Sequence, residues 1–250
     1  MIVPNIVLAV ANNLHQRRIL AIFAAGSDLA ASPVATTRAF DLAIGGVNLV
    51  AFPLGICIGW RLIAPIVRAV RSRNDGRTAA AAAVRHGSLV FADRMTWIAV
   101  TLWIACGIGG AVLFAAQAGL PPVPVRLMFL QSSLVCGLMA AAYTFFLVTL
   151  LVLRAIYPAL LGRTAAPDDA AQLAAVGSRS GWYLLMAGGG PLVTMAVMFL
   201  LGSEDRPALA LLTFAGLAGL ASSLWAHGEI TADVAALIAA GKPADEWSAT

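Results

Sequence analysis

Residues 127–153 read LMFLQSSLVCGLMAAAYTFFLVTLLVL, and no charged residue interrupts this stretch between Arg126 and Arg154. An α-helix needs about 20 apolar residues to cross the roughly 30 Å hydrocarbon core of a bilayer, so this stretch is long enough to span one. The whole chain has the same character, with 60% hydrophobic and 11% charged residues and a mean hydropathy of +0.88. Soluble domains carry roughly 25% charged residues. The composition therefore predicts that lipid solvates much of the surface.

Four further apolar runs have the length of a membrane span. They are residues 42–63, 95–118, 182–201 and 208–225, and Arg61, near an end, is the one charge inside them. In lipid, every backbone polar group must be satisfied within the spanning structure, and the alternation typical of a β-barrel is missing. The sequence therefore predicts an all-α, polytopic transmembrane helical bundle with five full spanning helices.

The N-terminal region fits this scheme less well. Residues 2–11 are apolar but too short to span, and Asn12, Asn13 and the basic pair Arg17-Arg18 follow them. Two interpretations are open. The segment is either an amphipathic or re-entrant helix, or the remaining end of a sixth spanning helix that begins upstream of Met1.

Lys and Arg residues are distributed unequally between the connections. Most of the 16 lie between the first and second spans, between the third and fourth, or in the C-terminal tail. The basic side of a membrane protein is cytoplasmic, which predicts a multi-pass protein of the cell membrane, such as a bacterial inner membrane, with its C-terminus inside. Residues 1–226 would form the membrane domain. Residues 227–250 would form a cytoplasmic tail whose own helix begins at Thr231 as its N-cap.

A short pattern occurs at the cytoplasmic ends of two spans. Arg closes the apolar run and Pro follows four residues later, after which the next span opens with an aromatic residue. Arg can snorkel to lipid phosphates, and Pro ends or bends a helix. The predicted interface anchors and helix-end residues are Trp60, Arg61, Pro65, Trp97, Arg154, Tyr157, Pro158 and Trp182. The pattern is typical either of independent helix ends or of a parallel duplication of a helix–loop–helix pair.

This organisation resembles the polytopic, six-helix membrane module that follows the kinase domain in some bacterial serine/threonine protein kinases. More loosely, it resembles the membrane region of certain bacterial adenylate cyclases. The resemblance covers roughly residues 5–225 and is carried by Trp60, Arg61, Pro65, Tyr143, Phe145, Phe146, Arg154, Tyr157 and Pro158. It implies a role in anchoring or sensing, and a complete helix before the segment that Asn12 and Asn13 match. No kinase or cyclase domain is present in these 250 residues.

The search for chemistry gives no catalytic residues, no cofactor site and no metal site. Hydrolase, metalloprotease, phosphate-binding and dinucleotide-binding motifs are absent from the sequence, and His15, His86 and His227 lie in three separate connections. The basic residues are not interleaved with aromatic residues, so nucleic acid is not an expected partner. The predicted partners are the lipid bilayer, a cytoplasmic signalling protein and, through a close helix contact, a second copy of the chain.

Small residues mark two candidate packing sites. Gly55 and Gly59 form a G-x-x-x-G motif on the first span, which suits helix packing or homodimerisation. Gly188, Gly189, Gly190 and Pro191 lie in the fourth span, where they predict a kink or a break. The first function hypothesis is a non-enzymatic membrane module that anchors or regulates cytoplasmic signalling. The alternative is a small transporter or permease subunit whose site is the broken fourth helix.

Overall fold

The structure, a computed structural model, describes residues 33–74, 82–118, 123–160, 167–200 and 206–240. Within these ranges the chain is helical apart from a turn at Val90, and no strand occurs there. The all-α prediction is therefore confirmed for the described part of the chain. The predicted short N-terminal helix at residues 2–11 lies outside it.

The helices are longer than the predicted spans. They are α1 (Pro33–Asn74), α2 (Ala82–Leu89), α3 (Phe91–Ala118), α4 (Val123–Leu151), a π-helical segment (Val152–Ile156), α5 (Tyr157–Leu160), α6 (Pro167–Leu200) and α7 (Arg206–Ala240). The apolar runs locate the middle of each long helix, whereas the ends continue into charged sequence. Much of what the sequence assigned to connections is therefore helix.

Pro65 does not end the first helix, because α1 continues to Asn74. A proline ring removes one backbone hydrogen bond, but Pro65 lies on an exposed side of α1, where the freed carbonyl of Arg61 can bond to water. Of the two predicted effects of Pro65, ending or bending the helix, the first does not occur.

Pro158 follows a change in helical winding. The π-helical segment ends at Ile156, and the backbone N–H of the next residue, Tyr157, donates to the carbonyl of Val152, five residues back. Because Pro158 has no N–H and its ring crowds the preceding turn, one wider turn immediately before it relieves both problems. The chain then remains helical as far as Leu160.

Two predicted interruptions are absent. Helix α6 is continuous from Pro167 to Leu200 with Pro191 inside it, so the predicted break at residues 188–191 was wrong at the level of secondary structure. Helix α7 is likewise continuous to Ala240. Thr231 does not cap a separate helix, because its hydroxyl donates to the carbonyls of His227 and Gly228, 3.0 and 2.8 Å away. The predicted boundary after Ala226 falls inside α7.

Helix α4 is the central helix of the described structure. It packs against α3, α6 and α7, while α1 packs mainly on α3 and α6 pairs with α7. In the apolar window of α4 and α5, 72% of the residues are buried, against 11% in the corresponding windows of α1 and α3. Small residues such as Ala140, Ala141 and Ala142 allow the neighbouring helices to approach α4 closely.

Three of the described helical segments are long and apolar enough to cross a membrane: Arg38–Ser72, Phe91–Gln117 and Ser133–Leu160. Large apolar side chains point outward from them and from α6 and α7, including Leu49, Val50, Val112, Leu185, Val193 and Phe214. Soluble proteins rarely expose contiguous apolar surface on this scale. The outward surface is therefore suited to lipid.

Candidate functional site: a polar layer beside four tryptophans

Close contacts fix how α1 and α3 lie against each other. A Cβ atom added at Gly55 would lie 2.9 Å from Leu102 Cδ1, and one added at Gly59 would lie 3.1 Å from Met95 Cε. Both glycines of the predicted G-x-x-x-G motif therefore face α3 of the same chain. This supports the packing interpretation, and a homodimer would have to use a different surface.

The glycine-rich segment of α6 is also a packing site. A Cβ at Gly188 would lie 3.0 Å from Leu220 of α7, and one at Gly190 would lie 3.6 Å from Val135 of α4. Gly189, in contrast, has nothing within 4 Å of that position. Helix α6 thus uses Gly188 and Gly190 to approach two helices at once.

Four exposed tryptophans lie at one level of the structure. Trp60, Trp97, Trp182 and Trp225 belong to four different helices, and between 61% and 69% of each side chain is exposed. Their common level follows from the antiparallel contacts that tie these helices together: Gly59 with Met95, Trp103 with Gly137, Phe145 with Tyr183, and Ser180 with His227. We call these four residues the tryptophan ring. Tryptophan collects at membrane–water interfaces, because its ring is apolar and its N–H is polar.

An ion pair joins α3 to α6 beside this ring. Arg179 Nη1 donates to Asp93 Oδ2, and the Tyr183 hydroxyl donates to Asp93 Oδ1 at 3.4 Å. The Tyr183 ring stacks on Phe145 of α4, with centroids 4.0 Å apart and planes 24° apart. One carboxylate thus connects three helices, directly or through Tyr183.

A second ion pair joins the π-helical segment to α7. Arg154 Nε donates to Asp233 Oδ2 at 2.7 Å, and Arg154 Nη2 donates to Glu229 Oε2. Glu229 and Asp233 are four residues apart, so they lie on one face of α7. The prediction that Arg154 snorkels to lipid phosphate remains a prediction, but the structure gives this residue two protein partners.

Two further hydrogen bonds complete the arrangement. Ser180 Oγ lies 2.6 Å from His227 Nδ1, which links α6 to α7, and His86 Nδ1 lies 3.0 Å from Gln172 Oε1, which links α2 to α6. We call the set of residues Asp93, Arg179, Tyr183, Arg154, Glu229, Asp233, Ser180, His227, His86 and Gln172 the polar layer.

The polar layer lies beside the larger of the two apolar clusters found among the described residues. Its fully or nearly fully buried members include Leu153, Tyr157, Leu160, Leu173 and Ile230. Tyr157, which the sequence analysis placed among the interface anchors, has no exposed surface at all and belongs to this cluster. Tyr157 therefore contributes to packing inside this cluster.

The described residues do not suggest metal or thiol chemistry. They contain no group of three or more His, Cys, Asp and Glu residues that could hold a metal ion. Cys57, Cys106 and Cys136 are free thiols. The polar groups instead pair across helices, which holds helices together.

We expect charge reversal at Arg154 to loosen the contact between α4 and α7. An Arg154→Glu variant would bring three carboxylates together, and the expected result is a Tm lower by a few degrees in detergent. Combining it with Glu229→Arg should recover most of the loss, because opposite charges face each other again. Added salt should shrink the difference, since these side chains are partly exposed. Equal thermal unfolding of the single variant and the wild type would contradict the pairing.

Comparison with known proteins adds no relative: no family model, curated protein or solved structure matches the chain.

Proposed function

We propose that this chain is a non-enzymatic, five-span integral membrane module that anchors and regulates a cytoplasmic signalling protein. The distance from the tryptophan ring to the opposite ends of the helices supports five spans. Residues 38–60, 97–118, 126–145, 182–200 and 206–225 each rise about 27–33 Å at 1.5 Å per residue, close to the thickness of the hydrocarbon core. Arg38, Arg126 and Arg206 stand at the far ends of these segments.

The charge distribution supports a cytoplasmic C-terminus. Most Arg residues of the described ranges lie on the side of the tryptophan ring that contains the polar layer. The basic side of a membrane protein faces the cytoplasm. The end of α7 at Ala240 lies on that same side. The polar layer would therefore be in contact with the cytoplasm.

The observation that carries the proposal is the continuation of the helices beyond the tryptophan ring. From this ring, α1 continues to Asn74, α6 reaches back to Pro167 and α7 continues to Ala240, each about 20 Å further at 1.5 Å per residue. The three extensions pack on a common apolar cluster, and the Ser180–His227 contact of the polar layer ties α6 to α7. A membrane event that shifts one spanning helix would be carried directly into a folded cytoplasmic surface.

The resemblance to the membrane module of bacterial serine/threonine protein kinases is consistent with this role. Trp60, Arg61 and Pro65 lie at the start of the α1 extension, and Arg154 and Tyr157 take part in the polar layer and its apolar cluster. In this proposal the partner is a signalling protein bound on the cytoplasmic side. The transporter alternative was based on a break in the fourth span, and α6 is continuous there.

We expect the tryptophan ring to lie at one shallow depth in the bilayer. In variants that retain Trp60, Trp97, Trp182 or Trp225 as the sole tryptophan, lipids brominated near the headgroup should quench fluorescence more than lipids brominated near the chain ends. Trp103, one and a half turns deeper on α3, should give the opposite order and serves as the control. A ring tryptophan quenched most strongly from the bilayer centre would contradict the five-span arrangement.

Proximity labelling in cells tests the signalling role. A biotin ligase fused after Thr250 should label a protein with a signalling domain in the wild type and in the Arg154→Glu/Glu229→Arg variant, and should label it less in Arg154→Glu alone. Proteoliposomes provide the opposing test. Solute flux above that of empty liposomes, lost in a Gly189→Leu variant, would overturn the proposal in favour of transport; Gly189 is suitable because replacing it disturbs no neighbour.

A further inference from the structure

The extension of α1 has one packed side and one open side. Leu62, Ile63, Ile66, Ala69 and Val70 are directed towards the apolar cluster. Arg61, Arg68 and Arg71 are exposed. At 100° per residue, Arg61 and Arg68 lie within about 20° of each other, and Arg71 follows Arg68 one turn later. We call Arg68 and Arg71, with Arg61 above them, the basic face of α1.

The arginines of the basic face differ from Arg154 and Arg179 in having no carboxylate partner among the described residues. Arg154 and Arg179 are each paired with carboxylates. Arg68 donates to the carbonyl of Ala64 in its own helix at 3.4 Å, and neither Arg68 nor Arg71 has a carboxylate partner among the described residues. The one acidic residue within α1 is Asp41, at the opposite end, and the next in the sequence, Asp75, lies outside the described part.

Two like charges three residues apart on a helix repel each other slightly. Arg68 and Arg71 have no carboxylate partner among the described residues, so this pair is available for an external anion. The anion could belong to a lipid or to a protein, and the position of the pair along α1 separates the two.

The distance of Arg68 and Arg71 from the membrane indicates that the anion belongs to a protein. Arg68 and Arg71 lie about 12 and 17 Å beyond Trp60 along α1, at 1.5 Å per residue. The polar headgroup region extends only about 5–8 Å beyond the hydrocarbon core on each side. Arg61, adjacent to Trp60, can reach lipid phosphates, whereas Arg68 and Arg71 stand clear of them.

We propose that the basic face of α1 binds an acidic segment of a cytoplasmic protein, with Arg68 and Arg71 each pairing with a carboxylate. The proposal rests on the proposed function, because it gives the chemistry of the partner's contact. It also accounts for the unequal charge distribution: the α6 and α7 side is neutralised internally and holds the helices together, and the α1 side remains positive for binding.

The test uses the full chain in nanodiscs of phosphatidylcholine and a fluorescein-labelled oligo-glutamate peptide, with binding followed by fluorescence anisotropy. An Arg68→Gln/Arg71→Gln variant should bind the peptide roughly two- to thirtyfold more weakly than the wild type, the range for two exposed ion pairs. The matched control is Arg38→Gln/Arg126→Gln, which removes the same charge at the far end and should bind like the wild type. Binding should weaken as salt is added.

Equal binding by the wild type and the Arg68→Gln/Arg71→Gln variant would overturn the proposal. So would native mass spectrometry in which the wild type retains phosphatidylserine and the double variant loses it, because the face would then belong to lipid. Circular dichroism of both variants establishes that they are folded. If the Arg68→Gln/Arg71→Gln variant loses peptide binding but the wild type gives solute flux in proteoliposomes, the binding surface stands and the signalling role is overturned. If this variant binds the peptide as the wild type does and the wild type still labels a signalling protein, only the binding surface is overturned.

Discussion

A Gly107→Leu variant should fail to yield folded protein, because α3 and α4 touch at this residue. A Cβ atom at Gly107 would lie 2.5 Å from both Cβ and Oγ of Ser133, which is closer than real Cβ atoms approach. Ser133 Cβ is fixed to its backbone, so the helices themselves would have to separate. Extra methylenes in a packed core cost about 1–3 kcal/mol even when side chains can adjust, and here the backbone would have to move. Fluorescence-detected size-exclusion chromatography in detergent would measure the loss of the monodisperse peak.

Gly45→Leu is the matched control. Gly45 is exposed on α1 and has nothing within 4 Å of its Cβ position. Replacing glycine in a helix by leucine gains about 0.5–1 kcal/mol of helix propensity, and leucine is favoured in lipid. The control should be recovered at least as well as the wild type. A monodisperse peak from Gly107→Leu would show that α3 and α4 do not pack as described.

The middle of each long helix could be predicted from the sequence, and the ends could not. The predicted window 95–118 and α3 end at the same residue, because the apolar run and the helix both stop at Ala118. The windows for α1, α6 and α7 were too short at the polar-layer end, because charged residues were taken as the end of the helix. Hydropathy indicates which part of a helix is solvated by lipid. A helix can continue into water as long as neighbouring helices cover one of its sides.

The polar layer was missed for a different reason. Asp93 and Arg179 are 86 residues apart, and nothing in the local sequence of either indicates the other. Arg154 was recognised as a helix-end residue, and the i, i+4 spacing of Glu229 and Asp233 was visible in the sequence. Matching these carboxylates to Arg154 required knowing that α7 continues through the predicted tail and packs on α4. The Gly55 and Gly59 motif indicated a close helix contact, within the chain or between two copies, and the contact with α3 became known only from the structure.

Burial in this chain follows the position of a helix more than its composition. The apolar windows of α3 and α4 have nearly equal hydropathy, yet 72% of the α4 window is buried against 11% of the α3 window. In water, both would be driven into a core to a similar extent. In lipid, apolar surface has no such preference, so the small residues, close-packed aromatic rings and hydroxyls of α4 decide which helix lies at the centre. Ser133, Thr144 and Thr149 are accordingly buried in α4.

We expect Phe145→Ala to be the most destabilising truncation near the tryptophan ring. Phe145 is 1% exposed, stacks on Tyr183 and contacts Phe146 edge to face, with centroids 5.8 Å apart. Replacing a buried phenylalanine by alanine costs about 3–5 kcal/mol, because the cavity that remains is only partly filled by relaxation. Losing the stacked ring also frees Tyr183, whose hydroxyl helps to hold the Asp93 carboxylate. The variant should therefore weaken both the apolar cluster and the polar layer.

Leu147→Ala separates cavity formation from a general effect of truncation in α4. Leu147 lies two residues further along the helix, and 42% of its side chain is exposed to the surroundings, so its loss opens no internal cavity. Reversible unfolding in mixed micelles should give a large loss of unfolding free energy for Phe145→Ala and a much smaller one for Leu147→Ala. A second Asp93→Asn substitution should cost less in the Phe145→Ala background than in the wild type, because the shared Tyr183 contact is already disturbed. If the losses of unfolding free energy are additive, the apolar cluster and the polar layer are energetically independent. A shift in a spanning helix could then not reach the proposed cytoplasmic surface by this route.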